Sequence, residues 1–204
     1  SVATDCNSKG TIVGTASKRA FRGTKKYGME NLGTLRADNS GFSQAEGIAE
    51  DGTIVGMSSG ENYETAFVWT QRDGMTPLEH LYEGPSVAFD VSKSHRMVGS
   101  SHPRGSLGGD PVTWEDGMIT PLELLAGSNT DEESSACAIN ADGTIVGFVT
   151  VQGSYDRPHA VRWIDGPGGL GLHPRPAPPS SHHGLRRDHH VGRSGRADCG
   201  AGGR

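Results

Sequence analysis

Apolar positions in this chain fall in short runs that recur in a fixed order. One segment reads Ser-x-Ala-x-x-Ile-x-x-Asp-Gly-Thr-Ile-Val-Gly; it spans Ser43 to Gly56 and returns from Ser134 to Gly147. A weaker copy from Ser1 to Gly14 keeps Ala3, Gly10, Thr11, Ile12, Val13 and Gly14, and one from Ser86 to Gly99 keeps Ala88, Val91, Val98 and Gly99. The closing glycines, Gly14, Gly56, Gly99 and Gly147, stand 42, 43 and 48 residues apart. A second half recurs too. Ala66-Phe67-Val68-Trp69-Thr70 matches Pro111-Val112-Thr113-Trp114 and Ala160-Val161-Arg162-Trp163, while the first copy has Ala20-Phe21-Arg22-Gly23, with glycine in the Trp column. Gly-Met and a leucine pair follow: Gly28-Met29 with Leu32 and Leu35, Gly74-Met75 with Leu78 and Leu81, Gly117-Met118 with Leu122 and Leu125.

Each copy thus holds four short β-prone runs, in the second copy about 44–49, 53–58, 65–70 and 75–81. Asp51-Gly52 and Asp142-Gly143 separate the first two runs and predict two-residue hairpins with both turn residues at positive φ. A second short turn ends in Asp73-Gly74 or Asp116-Gly117. Adjacent strand residues face opposite ways. Ile54 and Val55 are nevertheless both apolar, and the recurring Ala45 and Ile48 differ in parity, so the strands are expected to be covered on two sides. Four strands in a repeat of this length predict an all-β fold, a β-propeller or partial propeller of about four four-stranded blades. A parallel β-helix is the main competitor, but its coils are shorter and lack repeated tight hairpins. Residues 1–165 form the repeat domain, in units of about 1–42, 43–85, 86–133 and 134–172. Ser1-Val2-Ala3 already lies inside a repeat, as expected of a mature protein or an excised fragment.

The Asp-Gly-Thr-Ile-Val-Gly and Ala-Phe-x-Trp-Thr runs resemble the bacterial extracellular HAF repeats, whose His-Ala-Phe signature has its nearest versions in His159-Ala160-Val161, Thr65-Ala66-Phe67 and Arg19-Ala20-Phe21. The third copy departs most, with Asp110-Pro111-Val112 and no Asp-Gly turn. The resemblance implies a secreted or surface-exposed bacterial protein, in some cases the outward part of a larger anchored one. It carries over no catalytic residues. The Gly-Gly and Trp-Asp pairs of Kelch and WD40 repeats are not found at matching positions.

Composition agrees with many short strands: apolar content is 33% and there are 31 glycines. A net charge of −5 gives no reason to expect nucleic acid. No apolar run approaches the length of a membrane helix. Cys6, Cys137 and Cys199 match no zinc spacing; a Cys6–Cys137 bridge competes with the expectation of two small buried strand residues. Asp131-Glu132-Glu133 lacks the alternating ligands of a calcium loop and reads as a solvated run. No cofactor or metal is expected. No serine sits in a nucleophile elbow.

In antiparallel blades the 1–2 and 3–4 turns share one end, and the 2–3 loops and inter-blade links share the other. From the repeat glycine to the Phe/Val column the steps grow from 7 to 11, 13 and 14 residues along the chain. Binding resides on such variable loops. The candidate ligand-binding residues are therefore Asn62, Tyr63 and Glu64, His102 and Arg104, and Tyr155, Asp156 and Arg157, groups suited to a glycan or a protein partner. Two alternatives stand beside this: a polysaccharide hydrolase or lyase with acids near the propeller axis, and a structural spacer of a larger surface protein. An incomplete propeller would also expose edges for self-association.

From Gly166 onward the composition changes. The tail has no Ile, Phe, Tyr, Trp or Met, holds five of nine histidines and five of eleven prolines, and carries +4 against −9 for residues 1–165. It reads as disordered, as out-of-frame translation with Val191-Gly192 marking a damaged fifth repeat, or as a metal-binding tail using His182, His183, His189 and His190.

Overall fold

The computed structural model describes residues 1–128, 131–151, 158–164 and 171–172. Apart from Gly171 and Leu172, the tail and its histidines lie outside the described residues. The chain is all-β, with four antiparallel sheets whose strands follow sequence order. The first sheet holds β1 (Val2–Cys6), β2 (Ile12–Ala16), β3 (Arg19–Thr24) and β4 (Gly28–Asn31). The second holds β5 (Ser43–Ile48), β6 (Ile54–Ser59), β7 (Glu64–Thr70) and β8 (Gly74–Pro77). The third holds β9 (Ser86–Val91), β10 (Met97–Ser101), β11 (Asp110–Glu115) and β12 (Met118–Pro121). The fourth has three full strands, β13 (Ser135–Ile139), β14 (Ile145–Val149) and β15 (His159–Ile164), and a two-residue fourth, β16 (Gly171–Leu172).

The 1–2 turns differ from the two-residue hairpins expected of Asp-Gly. Ala49 N–H donates to Thr53 O, and Gly52 N–H donates to Ala49 O. The loop is therefore three residues, Glu50 to Gly52, a tight turn followed by one left-handed residue, Gly52 at φ 100°. All four copies repeat this pattern, at Asn7–Thr11, Ser92–Arg96 and Asn140–Thr144. The third copy keeps it without glycine, placing His95 at φ 66°. The fully left-handed two-residue turn occurs elsewhere: at Asp116-Gly117 between β11 and β12, and at Ser17-Lys18 between β2 and β3.

The Gly column has a cause in the pairing of the first two strands. In each first strand the register slips by one residue: Ala45 faces Gly56 but Gly47 faces Val55, so Glu46 is the extra residue of a β-bulge. Thr4, Phe89 and Cys137 are the extra residues in the other sheets. The parity change between Ala45 and Ile48 comes from this bulge and not from burial on two faces. The bulge presses strand 1 onto strand 2. A Cβ on Gly56 would lie 2.0 Å from the carbonyl oxygen of Gln44, and one on Gly14, Gly99 or Gly147 would meet the same backbone.

Consecutive sheets pack face to face. Val13, Ala20 and Leu32 of the first sheet meet Ala45, Ile48, Ile54, Phe67 and Trp69 of the second. Val55, Ala66 and Leu78 then meet Ala88, Val91, Met97, Val112 and Trp114 of the third. Val98 and Leu122 meet Ile139, Ile145, Val161 and Trp163 of the fourth. Ile54 and Val55 thus serve different cores, as two-sided burial requires. Successive first strands touch one another, β1 on β5, β5 on β9 and β9 on β13. The fourth strands β4 and β12 are mostly exposed.

Hydrogen bonds cross the same interfaces. Ser43 Oγ accepts the Ala20 N–H and Ser86 Oγ the Ala66 N–H, both at 2.9 Å. Pro111 fills that column in the third sheet and has no N–H, so Ser134 Oγ instead accepts the Thr150 N–H at 3.3 Å. Trp114 Nε1 donates to Glu79 O and Trp163 Nε1 to Glu123 O, both at 2.8 Å. Trp69 instead carries the Arg22 guanidinium over its ring at 4.5 Å.

These contacts rank substitutions. Gly56→Ala drives a Cβ into immovable backbone and is expected to cost about 3 kcal/mol or more. Gly52→Ala, with open space around it, costs only about 1 kcal/mol of left-handed strain. Urea unfolding of the two variants checks the order. In a second pair, Ser86→Ala strands a buried amide and costs about 1–3 kcal/mol. Ser134→Ala, facing a proline, is expected to cost less; equal losses would contradict the assignment.

Candidate functional site

The turn end of the sheets is knitted to itself. Ser8 N–H and Oγ donate to the Glu50 carboxylate across the first and second sheets. His95 Nε2 lies 3.0 Å from Asp51 Oδ2 across the second and third. Burial pushes the Asp51 carboxyl up, but the Thr53 amide and hydroxyl and the His95 charge outweigh it and hold it below its ordinary value. An open hollow of about 320 Å³ lies here among Lys9, Ala49, Glu50, Asp51 and Lys93.

The loop end is built differently. Strand pairing places Ser86 opposite Ser101 and Ser101 opposite Asp110, one polar row across β9, β10 and β11. All three residues are buried. The link between the second and third sheets lies over this row. Tyr82 OH donates to Asp110 Oδ2, and His80 Nδ1 sits 3.4 Å from Ser86 Oγ. Burial holds the His80 imidazole below its ordinary pKa. Asp110 Oδ1 and Ser101 Oγ are buried with no hydrogen-bond partner among the described residues.

Of the residues expected from sequence, Tyr63 is brought into this arrangement. It packs edge-on against His80, with ring centroids 5.1 Å apart. Asn62 and Glu64 are exposed beside it, and Arg104 is exposed on the next 2–3 loop. His102 is held within its own loop: Nδ1 donates to Gly108 O at 3.1 Å and Nε2 is 3.0 Å from Ser100 Oγ. These contacts hold its ring against its own loop. Tyr155, Asp156 and Arg157 lie outside the described residues. Sequence reading missed His80, Tyr82 and Asp110. Each occurs in one copy only, so no repeated column announced them; the sole signal was Asp110-Pro111, with proline where the other copies have alanine.

The inner first strands bear on the hydrolase alternative. Asp5 Oδ1 accepts the Cys6 N–H at 2.7 Å and Oδ2 the Ile48 N–H of the next sheet at 3.0 Å. Asp90 does the same for Val91 and Ile139, at 2.8 and 2.9 Å. Both carboxylates accept amides on the open edges of first strands and tie consecutive sheets together. Cys6 is a free, exposed thiol, so neither a bridge to Cys137 nor burial describes it. No family model matches the chain, and no curated protein matches it in sequence.

Burial, with the hydrogen bond to Asp110 and that group's negative charge, pushes the Tyr82 phenol up to about 12. A raised phenol pKa adds stability that is complete below about 10, its unfolded value, and is lost as pH rises toward the folded one. Alkaline unfolding followed by circular dichroism is therefore expected to lose a component between these pH values in Tyr82→Phe, which should also be less stable at pH 7. An unchanged alkaline profile would contradict the role given to this bond.

Proposed function

We propose that the chain is a partial β-propeller that binds a glycan or a protein on the loop end of its sheets. The observation that carries this reading is the contrast between the two ends. The turn end carries uniform three-residue turns tied to one another by Ser8–Glu50 and His95–Asp51, whereas the loop end presents Asn62, Tyr63, Glu64 and Arg104 on longer, variable loops above a buried polar row that fixes the link carrying His80 and Tyr82. An aromatic ring held edge-on, flanked by an amide and by charges, is the chemistry of a surface that stacks on a sugar ring or anchors a protein partner. Open, variable loops on a rigid sheet support recognition of an extended partner. Binding is favoured over the polysaccharide hydrolase because Asp5 and Asp90, the inner-strand acids, are engaged with backbone amides.

The repeated runs that resemble HAF repeats support placing the protein outside the cell, on a bacterial surface or secreted. A glycan array probed with the whole chain tests the reading. Binding to a discrete glycan set, lost by about tenfold or more in Tyr63→Ala and retained in Lys93→Ala at the turn end, is the expected result. Binding that survives Tyr63→Ala, or that Lys93→Ala removes, would move the site off the loop end. If no glycan or protein binds, the spacer role takes its place.

A further inference from the structure

Each internal sheet uses two faces, one toward the preceding sheet and one toward the next, and the columns that form them can be followed to the two ends of the stack. On the forward face, Val13, Val55 and Val98 are fully buried against the next sheet, while Val146 in the same column is 45% exposed. Ala20 and Ala66 are likewise buried, while Ala160 is exposed. On the backward face, Ile54, Met97 and Ile145 are buried against the preceding sheet, while Ile12 is 41% exposed and Met29, which pairs with Gly23, is 57% exposed. Ala3 and Cys6 on that face are exposed also, although Phe21 is covered. The two outer faces are therefore the two halves of the interface that the molecule makes three times internally.

We infer that these faces join head to tail between copies of the chain, the forward face of one fourth sheet on the backward face of another first sheet. The occupant follows from continuity: the backward face that internal sheets offer to a forward face is, among the described residues, left open only on the first sheet. Such a contact is heterologous, so it propagates into chains or closes into a ring of several copies. Gly23 sets its strength. The later sheets carry Trp69, Trp114 or Trp163 in this column. Here a hollow of about 260 Å³ remains, lined by Ile12, Gly23, Met29 and neighbouring residues. The end-to-end contact lacks the tryptophan and is weaker than the internal ones, which makes association concentration-dependent. This inference does not rest on the ligand reading.

Sedimentation velocity on the full chain tests it, with folding checked by circular dichroism. Wild type is expected to grow beyond dimers as concentration rises. Ile12→Glu and Val146→Glu, each blocking one face, should both be monomeric alone yet form a dimer, and nothing larger, when mixed. In Gly23→Trp the new Cβ meets only the Ile12 and Met29 side chains, at 3.3 and 3.5 Å, so the flexible Ile12 end has to give by a few tenths of an ångström; the variant should tighten association by about tenfold or more, as expected of a buried interfacial Trp. A wild type that stays monomeric overturns the inference. So does assembly that survives Val146→Glu, which would indicate first sheets pairing with each other.

Discussion

The close approach of the first two strands in each sheet is the constraint on which the rest of the structure depends. One extra residue in the first strand, Glu46 in the second sheet, drops the backbone onto the glycine opposite. Only a residue without a Cβ fits there, because the nearest atoms are backbone and cannot turn aside. Two residues beyond the bulge, an amide on the open edge of the first strand is accepted in two sheets by a carboxylate of the preceding first strand, Asp5 or Asp90.

The other repeated residues act at the same junction. A serine at the start of the first strand reaches back to the preceding sheet, and a tryptophan in the third strand reaches back to a carbonyl after the leucine of the preceding unit. What recurs in the sequence is thus mostly the interface between sheets rather than the sheets themselves. This is the logic of stacked repeat proteins, in which neighbour contacts hold units that are too small to stand alone. It also separates the parts that must stay fixed from those that can vary. The bulge, turn and Trp columns are constrained by packing, while the 2–3 loops carry no such load and differ in every copy.

The repeat made the strands and their order legible from the sequence. The bulge was not, because an inserted residue looks in sequence like a parity break, which was read as burial on two faces. The Asp-Gly turns were placed correctly but given two residues instead of three: the same dipeptide suits both turns, and the hydrogen-bond register decides between them. His95 shows the limit of residue signatures, since the turn is held in the third copy without glycine. On the loop end, Tyr63 was legible as a lone aromatic in a variable loop. His80, which it packs against, and Tyr82, bonded to Asp110, are placed by the link that lies over β9, β10 and β11, which the spacing along the chain does not reveal.

If interfaces between sheets are what the repeat encodes, amides in one column should differ in stability according to whether a further sheet covers them. Native-state hydrogen exchange measures this residue by residue. Ala66, whose amide is capped by Ser86 of the next sheet, and Ala160, in the same column on the exposed face of the fourth sheet, make the direct comparison. Under dilute conditions the Ala66 amide is predicted to exchange near the rate set by global unfolding, and the Ala160 amide at least about a hundredfold faster, the factor that roughly 2.7 kcal/mol of local stability represents. Equal protection at the two positions would contradict the account, because the sheets would then owe their stability to their own hydrogen bonds and not to their neighbours.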